Sequence, residues 1–442
     1  MVRIQDHIAK LSWTAADKML FIGYGFVNIL QNNALPTEEL GLYALFMALQ
    51  TFLFTVSDGF VLQSIIIFGT DTSKRGAINR FAMTWHTAIT LGGACVLLVL
   101  QDPIALLLGD ARIAVVVRYL PILCLATIPR KLCEKYLQRD VQAREIFVIN
   151  AVWFGTMTAL TAYFLAVKQL ATFETMVVIA TSGMVASSVV ALVLTRTHLS
   201  LHGARSHSWR QFFVFGAYQG TAGLLGNMVK QLDVTVLQYF FGTATVGVYQ
   251  SAKTLFRFFD EAFNAVAGLV YPATVRLVHE MATDETATAR LIALLSKMLS
   301  FSVVAMLAAV IAVQIGGAEF VISRILAAKY AAAIDYIKLL VCAAPAMPFT
   351  ALISVVIAFG EGRVLLRNVA IAVVCSFASL VTIGILGLPE FAPLGIMTYY
   401  VVVGLLSFEF TRSRLHLPLR LLFRAVPDTL DFFGLWKKTP NS

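Results

Sequence analysis

Asn227-Met228-Val229-Lys230-Gln231-Leu232-Asp233, then Phe240-Phe241-Gly242-Thr243-Ala244-Thr245, then Lys253-Thr254-Leu255-Phe256-Arg257-Phe258-Phe259-Asp260-Glu261: two long apolar segments meet at a short Gly-containing turn, and each carries charge inside it. Gln219, Gly223, Gly226, Asn227, Lys230 and Asp233 recur every three or four residues, so they share one helix face. Lys253, Arg257, Asp260, Glu261 and Asn264 repeat that spacing in the second segment. A charge near the centre of a bilayer costs roughly 2.5–3.5 kcal/mol or more, so both stripes must face water or a partner. Two facing polar stripes imply a water-filled cavity.

A bilayer is the setting because 59% of the 442 residues are hydrophobic and 13% charged, where a soluble domain has about 25% charged. Mean hydropathy is +0.80. The net charge of +9 follows the loops of a membrane protein and does not indicate nucleic acid. Cys95, Cys124, Cys133, Cys342 and Cys375 form no CxxC pair, so neither a disulfide nor a metal centre is expected. Met1–Lys18 is mildly amphipathic and lacks the apolar core of a cleaved signal peptide.

Runs of about 20 apolar residues suffice to cross the hydrocarbon. Twelve are found, near 12–34, 40–69, 78–100, 113–133, 146–167, 174–195, 212–239, 246–271, 291–314, 334–359, 366–386 and 391–410. The expected fold is an all-α polytopic membrane protein, with N-terminal (1–200) and C-terminal (201–410) bundles of six helices and a basic, amphipathic tail over 411–442. Of the 34 basic residues, 25 fall in the N-terminus, alternate loops and tail on one side, among them Arg130, Lys131, Lys135, Arg139 and Arg144 after the fourth run. Both termini are therefore expected in the cytoplasm. The fragment Leu40-Gly41-Leu42-Tyr43 returns as Val246-Gly247-Val248-Tyr249 at an offset of 206, which marks two halves of parallel topology.

With the second segment running inward, Lys230, Lys253 and Arg257 lie in the central and outer membrane, and Asp58, Asp233, Asp260 and Glu261 beside them. Such a cavity attracts an anion, and phosphate or pyrophosphate is the anion Lys and Arg hold best. The same charges can also neutralise one another, Arg257 with Glu261, or Lys230 with Asp233 or Asp58. Asp58 can alternatively carry a coupling proton or sodium ion. Glycines 216, 220, 223 and 226 suggest close helix packing or bending, Pro121, Pro129, Pro345 and Pro348 suggest kinks, and His86 suggests a hydrogen-bonded interior histidine. No GxxxxGK[ST], GxSxG or HExxH motif occurs, which removes the common nucleotide hydrolase and protease signatures.

The run from Lys230 to Ala252, with its aspartate, Gly-containing turn and Gly247-Val248-Tyr249, resembles the signature of bacterial polysaccharide and O-antigen flippases. Ser57-Asp58-Gly59-Phe60, Lys135-Tyr136-Leu137-Gln138-Arg139-Asp140 and Tyr271-Pro272 are similar to that pattern too. The resemblance implies the superfamily of multidrug, oligosaccharidyl-lipid and polysaccharide exporters, with two six-helix bundles in a V around a cavity. It implies an undecaprenyl-pyrophosphate-linked glycan as substrate, the bacterial inner membrane as location and a polysaccharide polymerase as possible partner. It places functional charges at Lys18, Asp58, Lys230, Asp233, Lys253 and Arg257. Sugars would lie near Asn28, Gln31, Gln50, Gln219 and Asn227. Two other readings remain at this stage, a cation-coupled multidrug exporter of the same fold and a membrane-embedded polymerase or acyltransferase.

Overall fold

The computed structural model describes residues 4–68, 75–140, 142–196, 209–281 and 283–415; within them the side chains of 4–11, 14, 15, 67, 68, 209–220, 222, 230, 265, 266, 268, 269 and 272 are not described. The described chain is almost wholly helical and contains no strand. In hydrocarbon a helix satisfies its own backbone N–H and C=O groups, so an apolar run long enough to cross has no cheaper conformation. We number the long helices α1 Ile4–Ala34, α2 Thr37–Ser57, α3 Arg75–Val99, α4 Arg112–Arg139, α5 Ala143–Ala166, α6 Phe173–Thr195, α7 209–241, α8 243–280, α9 Thr286–Ala312, α10 Ala333–Ala358, α11 Gly362–Leu386 and α12 Pro393–Leu415.

Among the described residues nine of these, α2–α6 and α9–α12, are long and apolar enough to span a membrane. Of the remaining three, α7 and α8 are the ones into which the sequence puts polar stripes. Their order matches the twelve expected runs. Large apolar side chains such as Val99, Leu106, Ile315 and Leu405 stand exposed on the outside, as lipid-facing positions do.

Local sequence sets the breaks. Gly242 takes φ +80°, which L-residues with a side chain rarely adopt, and it separates α7 from α8. After α2 the helix continues through a wider, π-type turn, Asp58–Leu62, into Gln63–Phe68. Gly387 ends α11 in the left-handed conformation, with Pro389 just beyond. Pro345 and Pro348 divide α10 into short pieces as expected, whereas Pro121 and Pro129 lie inside the uninterrupted helix α4. That helix also runs six residues past the expected end at 133. Arg130, Lys131, Lys135 and Arg139, read from sequence as loop charges, are helical.

The chain divides into two compact units, Met1–Ser251 and Ala252–Ser442. In the first, α4 packs against α2, α3 and α6, and α5 against α1 and α6. Val61, Leu62, Ile65, Ile78, Phe81, Leu132 and Tyr136 form one core cluster there, and Cys133, Leu137, Ile149 and Ala191 another. In the second, α12 packs along α11 and the pieces of α10, with Gly395 pressed on Leu380 and accepting a hydrogen bond from Ser376 Oγ at 2.7 Å. The stretch from 197 to 208, where the sequence puts the seam between halves, and the tail from 416 lie outside the described residues.

Candidate functional site

Helix α8 is about 57 Å long at 1.5 Å per residue, longer than the roughly 30 Å of hydrocarbon that a spanning helix has to cross. Lys253 and Arg257 sit one turn apart on it, Lys253 half-buried and Arg257 exposed. Arg257 makes no hydrogen bond or ion pair with any described residue. In particular it does not pair with Glu261. A guanidinium whose donors meet no described residue can serve as a bidentate receptor for phosphate or carboxylate. Asp260 is tied down, accepting from Tyr400 Oη of α12 at 3.1 Å.

Asp233, on α7, is fully buried. It accepts from Tyr249 Oη at 2.6 Å and from the Val234 N–H at 2.7 Å. Tyr249 belongs to the repeated Gly-x-Tyr fragment, so the aspartate and the tyrosine of the motif clip α7 to α8 across the Gly242 break. Asn227 is exposed and donates only to the Gly223 carbonyl, 3.1 Å away. Gly223 has open space where a Cβ would be, so the close packing expected of the α7 glycines is absent there. Lys230 and Gln219 are on α7, but their side chains lie outside the described residues.

Asp58 stands at the start of the π-type turn, where such turns often mark working positions. Lys135 Nζ of α4 approaches it to 2.7 Å, and Gln63 Nε2 donates at 2.9 Å. Beside it, Ser57 Oγ and His86 Nδ1 share a buried hydrogen bond of 2.6 Å, the interior role expected of His86. Lys18 is exposed on α1, with Nζ 5.7 Å from the centre of the Phe21 ring. Gln31 and Gln50, expected to line a sugar volume, are buried inside the first unit, where Gln31 donates to Thr161 (2.8 Å) and Gln50 to Thr127 (3.4 Å).

The feature missed by sequence reading is a buried polar network centred on Arg130. This side chain is 2% exposed, pairs with Glu134 at 2.8 Å, donates to Asn150 Oδ1 at 2.6 Å and lies 3.9 Å over the Trp153 ring. Asn150 Nδ2 in turn donates to Asp17 Oδ1 at 2.8 Å. The α4 pair is thereby linked through Asn150 of α5 to Asp17 of α1. The signal was present as Arg130 and Glu134 at i,i+4 and Asn150 and Trp153 at i,i+3, but the α4 residues had been assigned to a loop.

The sequence profile of the polysaccharide biosynthesis protein family matches residues 9–278. The chain belongs to that family. No curated protein matches it. Among solved structures it is similar to a multidrug-resistance MATE-family transporter of the MOP superfamily in an inward-facing conformation, with TM-score 0.72, 14% identity, and 92% of this chain and 98% of the other covered. It is similar to the lipid II flippase MurJ in an inward closed conformation, with TM-score 0.71, 11% identity, and 98% and 94% covered. A MOP-superfamily transporter from Pyrococcus furiosus aligns with TM-score 0.57, 14% identity, and 92% and 93% covered. This member of the polysaccharide biosynthesis family thus has the MOP transporter fold and is a multi-pass membrane protein.

Proposed function

We propose that the protein is a flippase that moves undecaprenyl-pyrophosphate-linked oligosaccharide repeat units across the bacterial inner membrane by alternating access, for exopolysaccharide or O-antigen synthesis. Membership of the polysaccharide biosynthesis family and likeness in fold to a lipid II flippase support the substrate class. The single observation that carries the mechanism is Arg257, an exposed guanidinium on α8 that engages no described residue. An ion in such a place costs free energy unless a ligand or water meets it.

In this reading Arg257, Lys253 and Lys230 hold the pyrophosphate, and Asn227, Gln219 and Lys18 contact the sugars or the second phosphate. Asp233, Asp260 and Asp58, each engaged by a neighbour, keep their helices in register. The prenyl tail stays in lipid, because about 0.8 kcal/mol per CH₂ opposes its transfer to water. A proton or sodium ion is the proposed coupling ion, a polysaccharide polymerase the proposed partner, and both termini are proposed to be cytoplasmic.

The test is complementation of polysaccharide export in a deletion strain. Arg257→Ala should abolish export, with accumulation of a lipid-linked repeat unit on the cytoplasmic face and an unchanged melting temperature in detergent. Full complementation by Arg257→Ala would remove the proposed binding group. The MATE-like structure makes a cation-coupled drug exporter the second reading. The cationic charge of Arg257 on α8 disfavours cationic drugs, and an unaltered drug-susceptibility profile in the deletion strain would dispose of the second reading.

A further inference from the structure

The second unit carries a pocket of its own, at the end of α11 and α12 opposite the Glu361–Arg414 ion pair (2.7 Å), and no residue of α8 lines it. Its volume is about 360 Å³, within the roughly 300–1,000 Å³ of small-molecule sites, and Gln314, Asp335, Lys338, Cys342, Glu390 and Phe391 stand around it. Local sequence builds the walls. Past Ala312, α9 ends in a π-type turn, Val313–Gly317, in which Gly316 takes φ +116°, a conformation that favours glycine. The chain returns as the short helix Ala318–Ile325, whose Glu319 pairs with Lys338 of α10. Gln314, in the turn, donates from Nε2 to the Lys338 carbonyl at 2.9 Å and to Cys342 Sγ at 3.4 Å. Glu390 and Phe391 come from the single turn Pro389–Phe391 that leads into α12. The amide and the ammonium are thereby held in place.

What the walls leave over are acceptors. Asp335 and Glu390 are exposed and engage no described residue by hydrogen bond or ion pair, and Gln314 Oε1 accepts from none. A ligand for this surface must bring donors. An ionised phosphate brings none and is repelled by two carboxylates, so the pocket does not repeat the task of Arg257. An ammonium brings donors, but Lys338 lines the same pocket and opposes a second cation. Sugar hydroxyls donate to carboxylates and amides without carrying charge, and the C–H face of a pyranose ring suits the negative face of an exposed aromatic ring such as Phe391. Phosphate and sugars are the two unlike parts of the substrate head proposed above, and the second unit offers them unlike surfaces.

We propose that this pocket is a saccharide site, which holds sugars of the repeat unit at the outer face in the orientation given above and leaves the pyrophosphate to α8. The proposal rests on the flippase reading and names where the glycan part of that substrate is recognised. The probe is the oligosaccharide released by partial acid hydrolysis of the polysaccharide that the wild-type strain exports, with inorganic pyrophosphate and spermidine as comparisons. The full chain, with Cys95, Cys124, Cys133 and Cys375 replaced by alanine, is labelled at Cys342 in detergent with a small thiosulfonate. The oligosaccharide should slow labelling several-fold, pyrophosphate and spermidine should not, and Asp335→Asn combined with Glu390→Gln should remove the protection. A second readout does without the thiol. A chain with native cysteines and Phe391→Trp should show a saturable change in tryptophan emission over the same titration. No protection and no emission change, or protection by pyrophosphate or spermidine in place of the oligosaccharide, would overturn the saccharide site. Protection that survives the double substitution would overturn it as well. Export lost in Arg257→Ala with no protection at Cys342 would strike the pocket alone, and protection together with full complementation by Arg257→Ala would strike the proposed phosphate site alone.

Discussion

The first unit and the central part of α8 treat the same residue type in opposite ways. Arg130 is enclosed, paired with Glu134, bonded to Asn150 and stacked on Trp153. Arg257 is exposed and engages no described residue. A guanidinium whose donors are used by its own protein is architecture, and one left open in a membrane-length helix has capacity for a ligand. The difference shows that a charge in a transmembrane helix reports function only after its partners have been counted.

The largest effect that can break this comparison is on stability. Arg130→Ala strands Glu134 in the interior, and breaking a buried pair by removing one partner costs about 3–5 kcal/mol. The variant should melt well below wild type in detergent and accumulate poorly. Replacing both members, Arg130→Met with Glu134→Leu, should recover most of that loss, since a matched apolar pair leaves no bare charge. Arg257→Ala should do the reverse, leaving the melting temperature alone while export fails. A melting curve for Arg130→Ala that coincides with that of Arg257→Ala would erase the distinction between the two arginines.

Much of the fold could be read from the sequence because bilayer thickness imposes its own ruler. Run lengths located the twelve long helices of the described residues, and the Gly242 turn was legible because a glycine followed by Thr243-Ala244-Thr245 interrupts two apolar runs. The extent of α4 was not legible. Arg130 to Arg139 looks like a cytoplasmic loop when hydropathy alone is scored, and only packing supplies the partners of its charges, Asn150 and Trp153 on α5, Asp58 after α2 and Asn79 on α3. The Asp58 pair was hidden for the same reason, because its partner Lys135 comes from that stretch. The repeat was visible, but the packing of Gly41 on Thr243 and of Gly247 on Thr37 was not, because contact between residues so far apart in the chain leaves no trace in local spacing.

A smaller effect tests whether Asp233 belongs with the architectural charges or with the binding ones. Its carboxylate is fully buried and takes the Tyr249 hydroxyl at 2.6 Å. Removing that hydroxyl by Tyr249→Phe leaves a buried acceptor short of a donor, a loss of about 1–3 kcal/mol. Melting should fall by that amount, and the protein that folds should still export. A variant with wild-type stability and no export would instead transfer Asp233 to the binding site.

The smallest effect lies at the start of α8, where Asp110, in the turn before α4, accepts from Thr243 Oγ1 at 2.7 Å. Burial works to raise the Asp110 pKa, but hydrogen bonds from the Arg112 side chain, from Thr243 and from the Arg112 backbone N–H outweigh it and hold the carboxyl below the ordinary aspartate range. A carboxyl lowered in the folded state stabilises that state above the unfolded value, near pH 4, and the contribution drains away as pH falls through the folded value. Asp110→Asn should therefore melt lower than wild type at neutral pH, by about 0.5–1.5 kcal/mol for bonds of this kind. The two melting curves should converge as the pH is taken below 4. Parallel curves across that range would mean that the carboxylate charge contributes nothing to fastening α8, and the comparison with Arg130 would then have to rest on the interior network alone.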